Sequence, residues 1–397
     1  MKSLLPRIFN TVAPLGVPLA WRQLTRDRKR FATAIVGVTF GVVLMLYQVG
    51  LYTAANRMVV FPHHALKGEI VITSRNYEYF YSNRPFSRRV LYRVQVFPEV
   101  VSVAPLGVDF LKWKNTVTGV DKMIGILSIN PSENPFMLPD VTSQAGLLTN
   151  GENVLFDSQS AKADFGNIGE AFRNQGEVIS EIEHSRVRVK GLFSMGQSLA
   201  VTGHVIVSDE GMGRIHPNRS ANMINLGMVS LRPGTDPAEL RNRISVLLPK
   251  DVRVLTADEF RSEEQDFWIS RTAIGFICLA GMLVGMLVGG IVVYQTLYTD
   301  VTDHLREYAT LKAMGITDLF LFRIVLTEAL ILLLAVALPS VFFTGALFHV
   351  TRSGSGMPTE LAVPELLAVF ALAAVMCIIA GFLATRKLKT ADPADIF

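Results

Sequence analysis

Asp300–Glu328 reads DVTDHLREYATLKAMGITDLFLFRIVLTE, and this stretch decides the architecture. It follows one long apolar run and leads straight into another, so it is short, charged and held at a membrane surface. Its core, Leu305–Gly315, combines helix formers with apolar residues at helical spacing and ends on a glycine, which predicts a short helix. A helix this short is not stable alone in water, so one of its faces must be buried against something. Leu305, Tyr308, Ala309 and Lys312 are spaced to share a face, Leu311 lies on its flank, and Arg306 and Glu307 stand at the rim, with Gly315 as terminator. The expected burial of that face is against a motor outside the membrane.

Working outward, no Asp, Glu, Lys or Arg occurs in Phe31–Asn56, Thr272–Thr299, Ala329–Thr351 or Leu366–Thr385. Each run reaches the roughly 20 residues a helix needs to cross about 30 Å of hydrocarbon. The chain is 50% hydrophobic with mean hydropathy +0.36, too apolar for an ordinary soluble protein and too polar to lie wholly in the bilayer. We expect spans over residues 31–58, 267–299, 324–350 and 363–385. An external domain fills 59–266, a charged segment fills 300–323, and a short loop fills 351–362; segments 1–30 and 386–397 flank the whole.

Seven Lys and Arg residues crowd Met1–Arg30, and Arg386, Lys387 and Lys389 follow the fourth span, whereas the loop between spans three and four holds Arg352 alone. The positive-inside rule therefore puts both termini and Asp300–Glu328 in the cytoplasm, and residues 59–266 outside an inner membrane. These flanks explain the basic pI of 9.0, which gives no support to nucleic-acid binding. Pro18–Arg30 reads either as an amphipathic helix in the membrane interface or as a plain basic anchor. The first apolar run is too long, and too far from the start, for a cleavable signal.

The external domain reads as α+β. Glu69–Thr73 and Val187–Phe193 are strand-like, and Met228–Leu231 turns through Arg232–Asp236 into a helix from Pro237, with Val252–Leu255 as the next strand. The acidic Glu259–Asp266 is expected to form a stalk helix running on into the second span. Cys278 and Cys377 both fall inside spans, so no disulfide framework or zinc motif is expected. No phosphate-cradling loop or nucleophile elbow occurs, His63–His64 reads as an interfacial turn, and His184, His204 and His216 lie in separate elements. No catalytic residue, metal site or cofactor is expected in this chain.

Inside the spans, Gly281, Gly285 and Gly289 line one helical face and allow close approach of another helix, either in a dimer seam or within the chain. Glu328 and Arg323 lie near the start of span three, where pairing or snorkelling fits better than a proton relay. Pro339 suggests a kink.

The layout, together with Arg306, Glu307, Lys312, Ala313 and Gly315, Glu328 beyond them, and the tail Ala391–Phe397, resembles MacB/FtsX-type (type VII) ABC permeases. Pro18–Trp21, Val154–Asp157, Tyr298–Val301, Glu307–Gly315 and Asp392–Phe397 are similar to DevC-type subunits of cyanobacterial DevBCA exporters. The resemblance implies four spans with a large α+β periplasmic domain between the first two. It also implies a homodimer on a separate DevA-like ATPase that binds ATP and Mg, a DevB-like adaptor and a TolC-like outer-membrane channel. Leu305, Arg306, Glu307, Tyr308, Leu311, Lys312 and Gly315 would couple to the ATPase, and the cargo would be an envelope glycolipid or another amphiphile. FtsX-like activation of a cell-wall hydrolase, or lipoprotein extraction, is the alternative.

Overall fold

A computed structural model describes residues 27–390 apart from Ala221 and Ile316. The expected interfacial helix lies outside the described residues except at its last turn, and the closing Ala391–Phe397 lies wholly outside them. The chain divides into a unit of spans and a second unit, Ala55–Ile274 with Gly356–Pro358.

Among the described residues four helices are long and apolar enough to cross a membrane: α1 (Arg28–His64), α2 (Ala273–Asp303), the helix Asp318–Ser355 and the helix Val363–Thr390. Between the second and third of these lies α3 (Leu305–Ala313), so the last two are α4 and α5. Every span runs past its expected bound at one end or both, although α2 starts later than expected. Arg28–Arg30 belong to α1, not to a separate interfacial helix, and His63–His64 are its last residues, not a turn. The chain leaves α1 only at Ala65 and Leu66, whose N–H groups reach back to the carbonyls of Pro62 and His63 at 3.2 and 3.3 Å. At the polar end of α4 the hydroxyls of Thr351, Ser353 and Ser355 are satisfied within the helix, donating to the carbonyls of Leu347, His349 and Thr351.

In this unit Val38, Met45 and Leu46 of α1 pack with Val293 and Leu297 of α2, Val325 and Leu332 of α4, and Ala373 and Cys377 of α5. Half of the most apolar stretch of α4 is buried against about a fifth (22%) for α2, so α4 is central and α2 peripheral. Pro339 sits within α4, which continues through it as one helix.

The second unit is built on a nine-stranded mixed sheet: β1 (Ile70–Ser74), β2 (Val100–Lys114), β3 (Asp121–Ile129), β4 (Asn153–Asp157), β5 (Val178–Ile182), β6 (Ser185–Phe193), β7 (His204–Ser208), β8 (Leu226–Leu231) and β9 (Val252–Thr256). Their order is β9-β1-β8-β2-β3-β7-β4-β6-β5. β5 also meets β2 at Trp113 and Ile182, which curls the second half of the sheet towards closure around Trp113, Phe156 and Phe165. Only β3/β7 and β4/β6 are parallel. β6 alternates buried and half-buried residues from Val187 to Phe193, as its apolar-basic alternation requires. The helix Pro237–Leu247 is capped by Asp236, whose carboxylate accepts from the Ala238 N–H at 2.9 Å.

Two details of this unit depart from, or were hidden in, the sequence. The stalk helix, Ala257–Asp266, does not run on into α2: a π-helical turn at Phe267–Arg271 and an extended Thr272 separate them. Thr272 itself makes the break, its hydroxyl accepting from the Ile274 N–H at 3.3 Å and so starting the next helix. The strand Val154–Asp157 ends on a wholly buried carboxylate. Asp157 accepts from the N–H groups of Gln159 (3.0 Å), Met195 (3.2 Å) and Gly196 (2.8 Å) and lies 3.5 Å from His204.

Candidate coupling site

α3 follows α2 after one residue, His304, and is closed by Gly315 at φ +93°, a left-handed conformation that glycine adopts without strain. Tyr308 is buried, at 2% exposure, in the core that α1, α2, α4 and α5 share, the half-buried Leu305 packs on the same core, and Ala309 is buried at 5% exposure. Arg306, Glu307, Thr310 and Met314 face outward. This corrects the sequence expectation. The apolar side chains of Leu305 and Tyr308 pack on the chain's own spans, Ala309 is buried beside them, and the polar face is the exposed one. The physical reason is the one that demanded burial in the first place: a two-turn helix needs an apolar contact to persist, and the spans beside it supply one. Of Leu311 and Lys312 the structure fixes the backbone, both lying within α3.

A charged cluster ties α3 to the span bases. Arg30 of α1 pairs with Asp303 of α2 at 2.9 Å and also donates to the Thr296 carbonyl. His304 lies 3.2 Å from the Glu307 carboxylate and 4.0 Å from Asp300. Asp300 and Glu328 are buried, Glu328 completely, and Arg30 is the cation near both. A buried carboxylate without a nearby cation is costly, so Arg30 fixes how the bases of α1, α2 and α4 fit together. Sequence spacing located Glu328 but not Asp300 or Arg30, because their proximity is set by helix packing.

Gly281, Gly285 and Gly289 face α1 and α5 of the same chain. A Cβ on Gly285 would lie 2.9 Å from the Gly41 carbonyl oxygen; on Gly281 it would lie 2.3 Å from Gln48, and on Gly289 3.2 Å from the Met376 sulfur. Of the two readings open from sequence, packing within the chain is the one realised at this face. Phe276, Leu287 and Ile291 of α2 are exposed. Among the described residues no group of His, Cys, Asp and Glu could hold a metal ion.

Residues 31–247 match the MacB-like periplasmic core domain family, and residues 279–393 match the FtsX-like permease C-terminal family. An uncharacterized ABC transporter permease of Mycobacterium tuberculosis, present in strains CDC 1551 and H37Rv, is 24% identical over 387 residues, covering 95% of this chain and 98% of the relative. Two solved domains are also similar. The periplasmic region of MacB from Actinobacillus actinomycetemcomitans is 14% identical with a TM-score of 0.35, covering 50% of this chain and 93% of that one. The extracellular domain of the noncanonic ABC-type transporter YknZ from Gram-positive bacteria is 14% identical with a TM-score of 0.33, covering 47% and 98%. With more than half its length matched by the core-domain family and its last spans by the permease family, this chain belongs to the MacB/FtsX-type ABC transporter permeases.

Proposed function

We propose that this permease works as the membrane subunit of an export machine in which a separate ATPase, holding ATP and Mg, drives α3. In this reading Arg306, Glu307 and Thr310 meet the ATPase. Tyr308, Ala309 and the Arg30–Asp303 pair carry the resulting displacement into the spans. Two copies stand side by side, both termini lie in the cytoplasm, and the Ala55–Ile274 unit lies in the periplasm. There it works with a DevB-like adaptor leading to a TolC-like channel. The cargo is an amphiphile, with an envelope glycolipid as the class that the DevC-like motifs favour.

The observation that carries this reading is the division of labour on α3: one face anchored in the spans, the other polar and outward. A loop with no partner would not need a polar helix face held in fixed register by buried contacts. Purification in mild detergent tests the assembly. Retention of an ABC ATPase together with a periplasmic adaptor supports export. Retention of the ATPase with a cell-wall hydrolase in place of an adaptor supports FtsX-like signalling, and recovery of the permease alone contradicts both.

A further inference from the structure

At one end of the Ala55–Ile274 unit three separate segments converge on a single carboxylate. Glu264, in the stalk helix, is 2% exposed. Its Oε2 accepts from the Tyr77 hydroxyl and from the Phe80 N–H at 2.9 Å, and its Oε1 accepts from the indole N–H of Trp268 at 3.0 Å. The ring of His63, the penultimate residue of α1, places Nε2 3.8 Å from the same Oε2 and packs on Phe260 and Phe80 at 4.7 and 5.6 Å between ring centroids. One buried side chain thus ties the end of the first long helix, the loop after β1, the stalk helix and the π-turn that precedes α2.

Three donors on two oxygens suit an ionised carboxylate, which only accepts. A proton taken from bulk solvent onto Oε2 turns that oxygen into a donor. The acceptors nearest its new O–H are the Tyr77 hydroxyl, whose hydrogen bond then reverses direction, and beyond it His63 Nε2, and the neutral oxygen is a weaker acceptor for the Phe80 N–H. We propose that Glu264 is a proton-operated latch: ionised, it locks the stalk to the Tyr77–Phe80 loop through charge-assisted hydrogen bonds, and protonated, it holds that loop more weakly. Acidification of the compartment facing this domain therefore changes how the stalk grips the sheet. This regulation goes beyond the export reading and holds whatever the cargo.

The charged neighbours are otherwise engaged. Arg261 bonds Asp258, Arg253 pairs with Glu263, and Glu78 accepts from Ser82. His64 is exposed, and the buried Asp157 near Tyr81 is held by backbone N–H groups. Burial pushes the Glu264 carboxyl up to about 6, against the pull of its three donors, so titration falls within a mild acid range.

Trp268 reports on the latch directly. With the full chain in lipid nanodiscs, the fluorescence difference between wild type and Trp268→Phe is followed between about pH 4.5 and 8, spanning both the free and the raised carboxyl values. The expected result is one transition centred near 6 that Glu264→Gln abolishes. Over the same range the protection of the Phe80 amide from hydrogen exchange, corrected for its intrinsic rate, falls about tenfold as its acceptor loses its charge. Tyr77→Phe, which keeps the carboxyl but removes one donor to its ionised form, moves the midpoint upward and serves as well if Glu264→Gln does not fold. No Glu264-dependent transition, an unmoved midpoint in Tyr77→Phe, or a transition that leaves Phe80 protection unchanged each overturns the proposal.

Discussion

Gly41 of α1 and Gly285 of α2 meet backbone to backbone: a Cβ on Gly41 would stand 2.8 Å from the Gly285 carbonyl oxygen, and one on Gly285 2.9 Å from that of Gly41. With no side chain on either helix at the crossing, the first two spans are held by backbone contact, the closest approach helices can make.

Gly285→Leu forces the crossing apart and should destabilise the span unit by about 1–3 kcal/mol or more. The check is thermal denaturation of the full chain in detergent, read by loss of the monodisperse peak. Gly345→Ala, where an added Cβ meets nothing within 4 Å, serves as the control and should leave the transition in place.

Asp157 is the buried acceptor that closes β4. Asp157→Ala strands the N–H groups of Met195 and Gly196 and should cost about 2–4 kcal/mol, since each unsatisfied buried group costs about 1–3. Circular-dichroism melting of the full chain should show the loss. A change smaller than that of an exposed control such as Ser194→Ala would contradict the role given to this carboxylate.

Glu264 sets a pH dependence whose sign follows from its raised value. The folded chain holds the proton up to about 6, against an ordinary 4.5, so the folded form binds protons more tightly in that window. This contribution therefore favours folding below about 4.5 and is lost as pH rises through 6, a change of about 2 kcal/mol. Comparing melting at mildly acid and neutral pH for wild type and Glu264→Gln isolates it. A pH difference that persists unchanged in the variant contradicts the assignment.

How much of this was legible in the sequence depends on whether the deciding neighbour is near in the chain. The charge-free runs located all four spans, but not their ends. The helix α4 runs on through Arg352 to Ser355, because a charged side chain beyond the hydrocarbon does not interrupt backbone helix bonds. The short α3 was readable from its helix formers and Gly315. Which face it turns outward was not: spacing says that Tyr308 and Ala309 share a face, and nothing local says that the chain's own spans cover it. Glu264 lay hidden in an acidic stretch because Tyr77, which helps bury it, is 187 residues away. The stalk was read as continuous although Thr272, a residue suited to an N-cap directly before the apolar run, marks the start of a new helix.

The orientation proposed from the Lys and Arg asymmetry is open to direct labelling. In a Cys278→Ala, Cys377→Ala background, a cysteine at the exposed Ser194 should react with an impermeant maleimide on intact spheroplasts. One at Thr310 should react only after the membrane is opened. The reverse pattern would invert the topology and remove the ATPase from reach of α3.

The central claim is that α3 offers its polar face to an ATPase while its apolar face stays in the spans. The most direct measurement is cross-linking from that outward face, with cysteine variants at Thr310 and at the control position Ser194 co-expressed with the ATPase in the same cysteine-free background. The expected result is a covalent adduct from Thr310, identified by mass spectrometry as an ABC ATPase, and none from Ser194. Arg306→Glu should lower that adduct and the permease-stimulated ATP hydrolysis about tenfold while leaving the melting temperature in place. Absence of the Thr310 adduct, with stimulation intact in the charge-reversed variant, would show that the ATPase grips the permease elsewhere.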